Sequence, residues 1–164
     1  MTELKLFTDG SVNTKLKIGF GAILFVSTEI FDFDKLKSQV QLKRFEETSS
    51  TKLEIQTLLW ALSNLPKIDG KIIIYTDSQN IIGLPKRRDK LEKNNYSSKK
   101  NKLIKNHLLY KDFFNLIDTF NCEFVQVNGH KSSSQKDEID QIFTLVDRAS
   151  RNAVRDMGKY LPPD

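Results

Sequence analysis

The stretch "KIIIYTDSQN", residues 71–80, decides the fold class. Residues 71–76 form a continuous apolar run of strand length, which is typical of a buried parallel strand. The run ends at Asp77, and a carboxylate at the end of a buried strand is costly unless its charge is used. A second predicted strand, residues 4–8, ends in the same way at Asp9 in "FTDGSVN". The repeated pattern predicts that both carboxylates belong to one site.

The hydrophobic periodicity of the rest of the chain predicts further strands and helices. We expect strands over 18–26, 39–45 and 122–127, and amphipathic helices over 49–65 and 106–120. A short helix is expected over 78–84, ending near Gly83 and Pro85, and a last helix over 138–158. The remaining segments are a turn over 11–17 and loops over 27–38 and 128–137.

This order predicts a single α/β domain over residues 1–164, built on a mixed five-stranded sheet with helices on both faces. The first three strands form an antiparallel meander. The strands at 71–76 and 122–127 follow helical crossovers and therefore run parallel to the first. Sites in such sheets form at the carboxyl ends of the parallel strands, where Asp9 and Asp77 are expected to meet.

Positive charge is concentrated in one segment. The chain has a net charge of +5, and residues 86–105 hold nine Lys and Arg but only two acids. This segment therefore carries +7 and the rest of the chain −2. A basic patch on a mildly acidic body indicates polyanion binding. The alternative is a solvated surface in a lysine-rich protein.

The composition, 38% apolar and 29% charged, is that of a soluble globular protein, and no apolar run is long enough to span a membrane. The N-terminus predicts no secretory signal. The single cysteine, Cys122, excludes an intramolecular disulfide and fits a reducing, cytoplasmic compartment. Nothing in the sequence requires an assembly, and we expect a monomer.

Two further carboxylates could join the site. Glu54 lies in the first turn of the helix over 49–65, where it could instead form a capping box with Thr51. Asp147 lies in the last helix, where Thr144 could play the same part. Clustered carboxylates repel one another unless a cation is bound, and oxygen ligands select Mg²⁺ or Mn²⁺. Beside a polyanion-binding surface, such a site suggests metal-assisted phosphodiester cleavage.

Five motifs together resemble type 1 ribonuclease H: "FTDGSVN", "STKLEIQTLLWAL", "IIIYTDSQNI", "NGHKS" and "VDRASRNA". The resemblance implies a ribonuclease H-like fold and an endonuclease that cuts the RNA strand of RNA–DNA hybrids without sequence specificity. It implies two Mg²⁺ ions per site, which Mn²⁺ could replace, and products with 5′-phosphate and 3′-hydroxyl ends.

The resemblance also implies residue roles. The metal-binding carboxylates would be Asp9, Glu54, Asp77 and Asp147, and His130 would assist proton movement or product release. Selection of RNA through its 2′-hydroxyl would use Gly10, Ser11, Asn13, Ser50, Thr51 and Gln79. A basic protrusion at about 84–105 would grip the hybrid, with Lys86, Arg87 and Arg88 as its contacts.

Two departures leave alternatives open. "SST", residues 49–51, stands where the family often has a pair of asparagines, and the stretch from His130 to Asp147 is longer than usual. Asp140 is therefore a rival fourth carboxylate. Thr144 could also start the last helix as a cap, and "DEIDQIF", residues 137–143, would then be a separate turn or short helix with solvated acids. The rival classes are a non-catalytic nucleic-acid-binding protein and a DNA-directed nuclease of the wider ribonuclease H-like group.

Overall fold

The computed structural model describes residues 2–27, 32–66, 69–128 and 137–159. Over these residues the chain forms five strands and five helices, and none of these helices has the length and apolar character that crossing a membrane requires. In chain order they are β1 (Thr2–Asn13), β2 (Ile18–Val26), α1 (Phe33–Gln39), β3 (Gln41–Phe45), α2 (Ser50–Ser63), β4 (Gly70–Thr76), α3 (Gln79–Lys93), α4 (His107–Thr119), β5 (Cys122–Gln126) and α5 (Glu138–Lys159).

The strands form one mixed sheet in the order β3-β2-β1-β4-β5. The pairs β1–β2 and β2–β3 are antiparallel, whereas β1–β4 and β4–β5 are parallel. The predicted fold class, an antiparallel meander joined to two parallel strands, is therefore confirmed. β1 lies at the centre of the sheet, so the residues at its carboxyl end can be reached from elements on both sides.

Helices cover both faces of the sheet because successive residues of a strand point to opposite sides. Leu6 and Ile74 are buried with side chains of α2, α3 and α4. Their neighbours Phe7 and Tyr75 are buried on the other face with side chains of α1 and α5, and their rings stack with centroids 4.7 Å apart. α2 and α5 therefore approach β1 from opposite faces.

The loop expected over 27–38 is wrong in its second half, which forms α1. Asp32 caps this helix by accepting a hydrogen bond from Lys35 N at 3.3 Å, and Leu36 buries its side chain in the core under α5. The turn expected over 11–17 is shorter, because β1 continues in register with β2 as far as the pair Asn13–Ile18. The third strand begins at Gln41, two residues later than expected.

The short helix expected over 78–84 is also wrong, since α3 runs through Pro85 to Lys93. A proline inside a helix removes one backbone hydrogen bond and usually ends or kinks the helix. Here Leu84 and Leu91, on either side of the proline, are both buried in the core. We attribute the continuation of the helix to this packing, which offsets the local cost of Pro85.

The last helix is continuous from Glu138, which confirms the helix expected over 138–158, and the alternative of a separate turn or short helix over 137–143 is wrong. Thr144 does not cap a helix; its Oγ1 donates to Asp140 O at 3.0 Å in the middle of α5. The early part of this helix is held by the core, because Ile142 and Phe143 are buried with residues of β1 and β2.

Candidate active site

Asp9 and Asp77 lie at one edge of the sheet, as expected. β1 and β4 are parallel, and Phe7 lies opposite Tyr75. Asp9 and Asp77 each come two residues after this pair, so they lie at the same end of the two strands. A small crevice opens between them. It is lined by Thr8, Asp9, Glu54, Thr57, Thr76, Asp77 and Ile81.

Helix α2 carries Glu54 to this crevice through close packing on β1. A Cβ atom at Gly10 would lie 2.9 Å from Leu53 Cδ2, so a larger residue there would have to displace this buried side chain in the first turn of α2. The capping box between Thr51 and Glu54 is wrong: Ser49 caps the helix by accepting from Lys52 N. Glu54 Oε2 accepts instead from Ser78 Oγ at 2.6 Å.

Ser78 is a residue of the site that the sequence analysis missed. Its buried hydroxyl donates to Glu54 and also accepts from Ile81 N at 3.1 Å, which caps α3. One side chain thus fixes the start of α3 to a carboxylate of α2, directly after Asp77. Its position immediately before a helix that starts at Gln79 is an N-cap signal that could have identified it.

Helix α5 brings Asp147 against Asp9 from the opposite face. Its carboxyl group lies close enough to Asp9 to raise the pKa of Asp9, both through its charge and through a side-chain hydrogen bond. Asp147 Oδ1 also accepts from Arg151 Nε at 2.9 Å. Arg151, four residues further along the helix, was not singled out from the sequence, although this spacing places acid and base on the same face.

Asp140, the rival fourth carboxylate, is occupied elsewhere. It is buried in the first turn of α5, where Asp140 N donates to Asp137 Oδ1 at 2.8 Å and Asp137 N donates to Asp140 Oδ2 at 3.3 Å. The expectation that its charge is solvated is therefore wrong. Asp147, and not Asp140, is among the groups that act on the pKa of Asp9.

The four neighbouring carboxylates, Asp9, Glu54, Asp77 and Asp147, are called the acidic cluster below. Burial, together with the charges of Asp77 and Asp147 and the hydrogen bond from Asp147, raises the pKa of Asp9 to about 8, although the Gly10 N–H opposes this rise. Burial also raises the pKa of Glu54, with a smaller contribution from Asp77, against the hydrogen bond from Ser78. The negative charges of the acidic cluster are therefore not balanced well enough to keep the pKa of Asp9 and Glu54 at their usual values.

The donor chemistry of the acidic cluster fits a hard divalent cation. Its ligands would all be carboxylate oxygens, which suit Mg²⁺ or Mn²⁺, and a cation would replace the proton that Asp9 retains. Within the described residues, no three Asp, Glu, His or Cys side chains form a ready-made metal site. The carboxylates adjoin in pairs instead, with Asp9 next to Asp77 and Asp147, and Asp77 next to Glu54.

The residues predicted to contact substrate surround the acidic cluster, but some of their side chains have partners inside the protein. Ser11 Oγ lies 3.3 Å from Ser150 Oγ, and Asn13 Oδ1 accepts from Leu16 N at 3.0 Å. Side chains that are exposed near the starts of α2 and α3 belong to Ser50, Thr51 and Gln79. His130 lies outside the described residues.

The basic segment is the second half of α3 and the turns that follow it. Lys86 and Arg87 are exposed, and Arg87 lines a cavity of about 230 Å³ together with Lys90 and Lys99. Arg88 differs from its neighbours. Its guanidinium donates to both oxygens of Asp118 at 2.6 and 2.7 Å and to Glu92 at 2.9 Å, and lies over the Phe114 ring. Three of its five N–H donors are therefore used inside the protein, and the substrate contact of Arg88 stays a prediction.

The mixed sheet carries acidic side chains at its carboxyl edge, and α3, whose second half is basic, starts directly after them. The sequence model of the RNase H family matches residues 1–150. The chain therefore belongs to the RNase H family, whose members are endoribonucleases.

Similar proteins agree with this assignment. The chain is 24% identical over 160 residues to a ribonuclease H of Caldicellulosiruptor saccharolyticus, covering 96% of this chain and 99% of that protein. It is 24% identical over 148 residues to a ribonuclease H of Clostridium botulinum, covering 87% and 93%. The solved PFV RNase H domain superimposes with a TM-score of 0.71 at 17% identity, covering 92% of this chain and 93% of that one. LC9-RNase H1, a type 1 enzyme with the type 2 active-site motif, superimposes with a TM-score of 0.67 at 13% identity, covering 93% and 72%.

Proposed function

We propose that this protein hydrolyses the RNA strand of RNA–DNA hybrids, without sequence specificity, and leaves 5′-phosphate and 3′-hydroxyl ends. The observation that carries the proposal is the acidic cluster, in which Asp9 retains a proton because burial and two neighbouring carboxylates surround it. Divalent cations would neutralise the clustered carboxylates, and the same cations could bind the oxygens of a phosphodiester.

The acidic cluster would hold two divalent ions, Mg²⁺ or Mn²⁺, through the carboxylates of Asp9, Glu54, Asp77 and Asp147. Such a pair of ions supplies Lewis acidity to the attacking and leaving oxygens of the phosphodiester. The protein holds the ligands in place: Ser78 orients Glu54 and Arg151 orients Asp147. His130 would assist proton movement or product release, as the family resemblance implies.

Selection of RNA would use groups at the rim of the acidic cluster. Ser50, Thr51 and Gln79 expose polar side chains there, and the Gly10 backbone lies beside Asp9. These groups suit the 2′-hydroxyl, whereas contacts to sugar and phosphate read no base sequence. We further propose that the protein acts as a cytoplasmic monomer with the basic segment as its hybrid-gripping protrusion.

The test of this proposal compares three labelled substrates. The protein is incubated with Mg²⁺ and an RNA–DNA hybrid, double-stranded RNA or double-stranded DNA of the same sequence. We expect cleavage of the RNA strand of the hybrid alone. Binding without cleavage would favour the non-catalytic alternative, and cleavage of double-stranded DNA would favour a DNA-directed nuclease.

Divalent metal should stabilise the folded protein. The pKa of Asp9 is raised on folding, so the stability that this group contributes is complete at low pH and is lost as the pH rises towards about 8. Bound Mg²⁺ should restore it, by about 2.7 kcal/mol at a hundredfold excess over its dissociation constant. Thermal unfolding followed by circular dichroism at pH 8, with Mg²⁺ and then with EDTA, measures this stabilisation.

Mg²⁺ should also bind more tightly as the pH rises towards 8, because it displaces a proton. An unfolding temperature that does not respond to Mg²⁺ would contradict the assignment.

The two exposed cations of α3 should contribute to hybrid binding through phosphate contacts. For Lys86→Gln/Arg87→Gln we expect weaker binding and a slope of log K against log salt that falls by about 0.7–0.9 per lost contact. Fluorescence anisotropy over a salt series measures the slope. The matched control is Arg88→Gln, which removes a cation already paired with Asp118 and should leave the slope unchanged. The reverse result would place Arg88 on the substrate.

A further inference from the structure

Two serines connect α5 to β1 beside the acidic cluster. Ser150 is completely buried, and its Oγ lies 3.0 Å from Asp147 O and 3.3 Å from Ser11 Oγ. A hydroxyl has a single hydrogen to donate. Because Ser150 donates it to Asp147 O, it must accept from Ser11. The hydrogen bonds therefore run from Ser11 through Ser150 to the backbone of Asp147.

This serine pair, Ser11 and Ser150, lies next to the pair formed by Asp9 and Asp147. Residues two apart on a strand share a face, so Ser11 points the same way as Asp9. Residues three apart on a helix also share a face, so Ser150 lies with Asp147. The same two elements thus meet at two adjacent contacts, one between carboxyl groups and one between hydroxyl groups.

The serine pair fixes α5 to β1 at the part of the helix that carries Asp147. The ion pair of Asp147 with Arg151 lies within α5, so it does not hold the helix to the strand. Movement of α5 away from β1 would break the hydrogen bonds of the serine pair, and a buried hydroxyl that loses its partner is costly.

We propose that Ser11 and Ser150 are positioning residues that hold Asp147 next to Asp9, so that the acidic cluster is assembled before a divalent cation binds. This inference rests on the proposed function, because it concerns the cation-binding form of the acidic cluster. It also changes the part played by Ser11: its hydroxyl works inside the protein, and what it offers to a substrate is its backbone.

The test compares Ser150→Ala with Ser63→Ala. Ser63 is a helical serine whose Oγ also donates to a carbonyl of its own helix, Leu59 O at 2.8 Å, but it is exposed and far along α2 from Glu54. For Ser150→Ala we expect the Mg²⁺ concentration for half-maximal stabilisation in thermal unfolding to rise about tenfold, the lower end of the effect of losing a supporting hydrogen bond at a metal site. The half-saturating Mg²⁺ for hybrid cleavage should rise by the same factor, while Ser63→Ala changes neither.

Ser11→Ala provides a second variant should Ser150→Ala fold poorly, and it should shift the Mg²⁺ dependence in the same direction. The double variant Ser11→Ala/Ser150→Ala should shift it no further than Ser150→Ala alone, because both changes break the same connection. Lower unfolding temperatures with an unchanged Mg²⁺ dependence, or additive shifts in the double variant, would overturn the proposal. Failure of the proposed function would look different: wild-type protein would be stabilised by Mg²⁺ but would not cleave the hybrid.

Discussion

Asp9→Asn should reduce Mg²⁺-dependent cleavage of the hybrid by at least about a thousandfold, or about 4 kcal/mol of transition-state stabilisation. The expected loss is this large because Asp9 adjoins both Asp77 and Asp147 and would therefore contribute to both cation positions. Asparagine keeps the size of the side chain but offers a neutral oxygen. Single-turnover cleavage with saturating enzyme measures the effect on the chemical step.

The same substitution should make the metal-free protein more stable above neutral pH. Ionising Asp9 in the folded state is unfavourable, so wild-type protein loses stability as the pH rises towards about 8, and Asp9→Asn avoids this loss. We expect similar free energies of unfolding at pH 4, and at pH 8 in EDTA a free energy of unfolding that is higher for the variant by on the order of a few kcal/mol. A variant that cleaves normally, or that is less stable at pH 8, would remove Asp9 from the site.

Asp147→Asn should lower cleavage by at least about a hundredfold, beyond the range typical of residues that only support a metal ligand. The expected effect of Asp140→Asn is less than about tenfold, or roughly 1.4 kcal/mol. The two residues are seven positions apart on one continuous helix, about 10.5 Å along its axis, so they cannot serve the same ions equally. Of the two residues, Asp147 and not Asp140 is among the groups that raise the pKa of Asp9.

Both variants are measured on one hybrid in Mg²⁺ and again in Mn²⁺. The loss in Asp147→Asn is expected to be smaller in Mn²⁺, which generally binds oxygen and nitrogen ligands more tightly than Mg²⁺ does. Asp140→Asn is the matched control because Asp140 is an acid on the same helix whose bonds are with Asp137. If Asp140→Asn were the inactive variant, the assignment of the fourth carboxylate would be wrong.

The antiparallel meander, the two parallel strands and the position of Asp9 and Asp77 at the sheet edge could be predicted from the sequence. The reason is local: an apolar run with a carboxylate directly after it is a signal contained within ten residues, as in "KIIIYTDSQN". The amphipathic pattern likewise predicted α2, α4 and the extent of α5, because helix periodicity depends on neighbouring turns.

Local rules misplaced the elements whose conformation depends on distant packing. Pro85 predicted the end of a helix, but α3 continues to Lys93 because Leu84 and Leu91, on either side of the proline, are buried in the core. Thr144 and Asp147 have the spacing of a capping box, but the start of α5 is set by Ile142 and Phe143, which pack on the sheet. In each case burial of several apolar side chains outweighs a single unfavourable or missing capping interaction.

The sequence alone determined the directions of the strands and which acidic residues could meet at the sheet edge, since both follow from short patterns and from the rule that parallel strands end at the same side. Only the tertiary structure showed that Asp147, rather than Asp140, lies beside Asp9. It also showed the hydrogen bonds of Ser78 with Glu54, of Arg88 with Asp118 and of Ser11 with Ser150. These contacts link residues from 24 to 139 positions apart in the chain, so they depend on how helices are placed on the sheet, which no local pattern encodes.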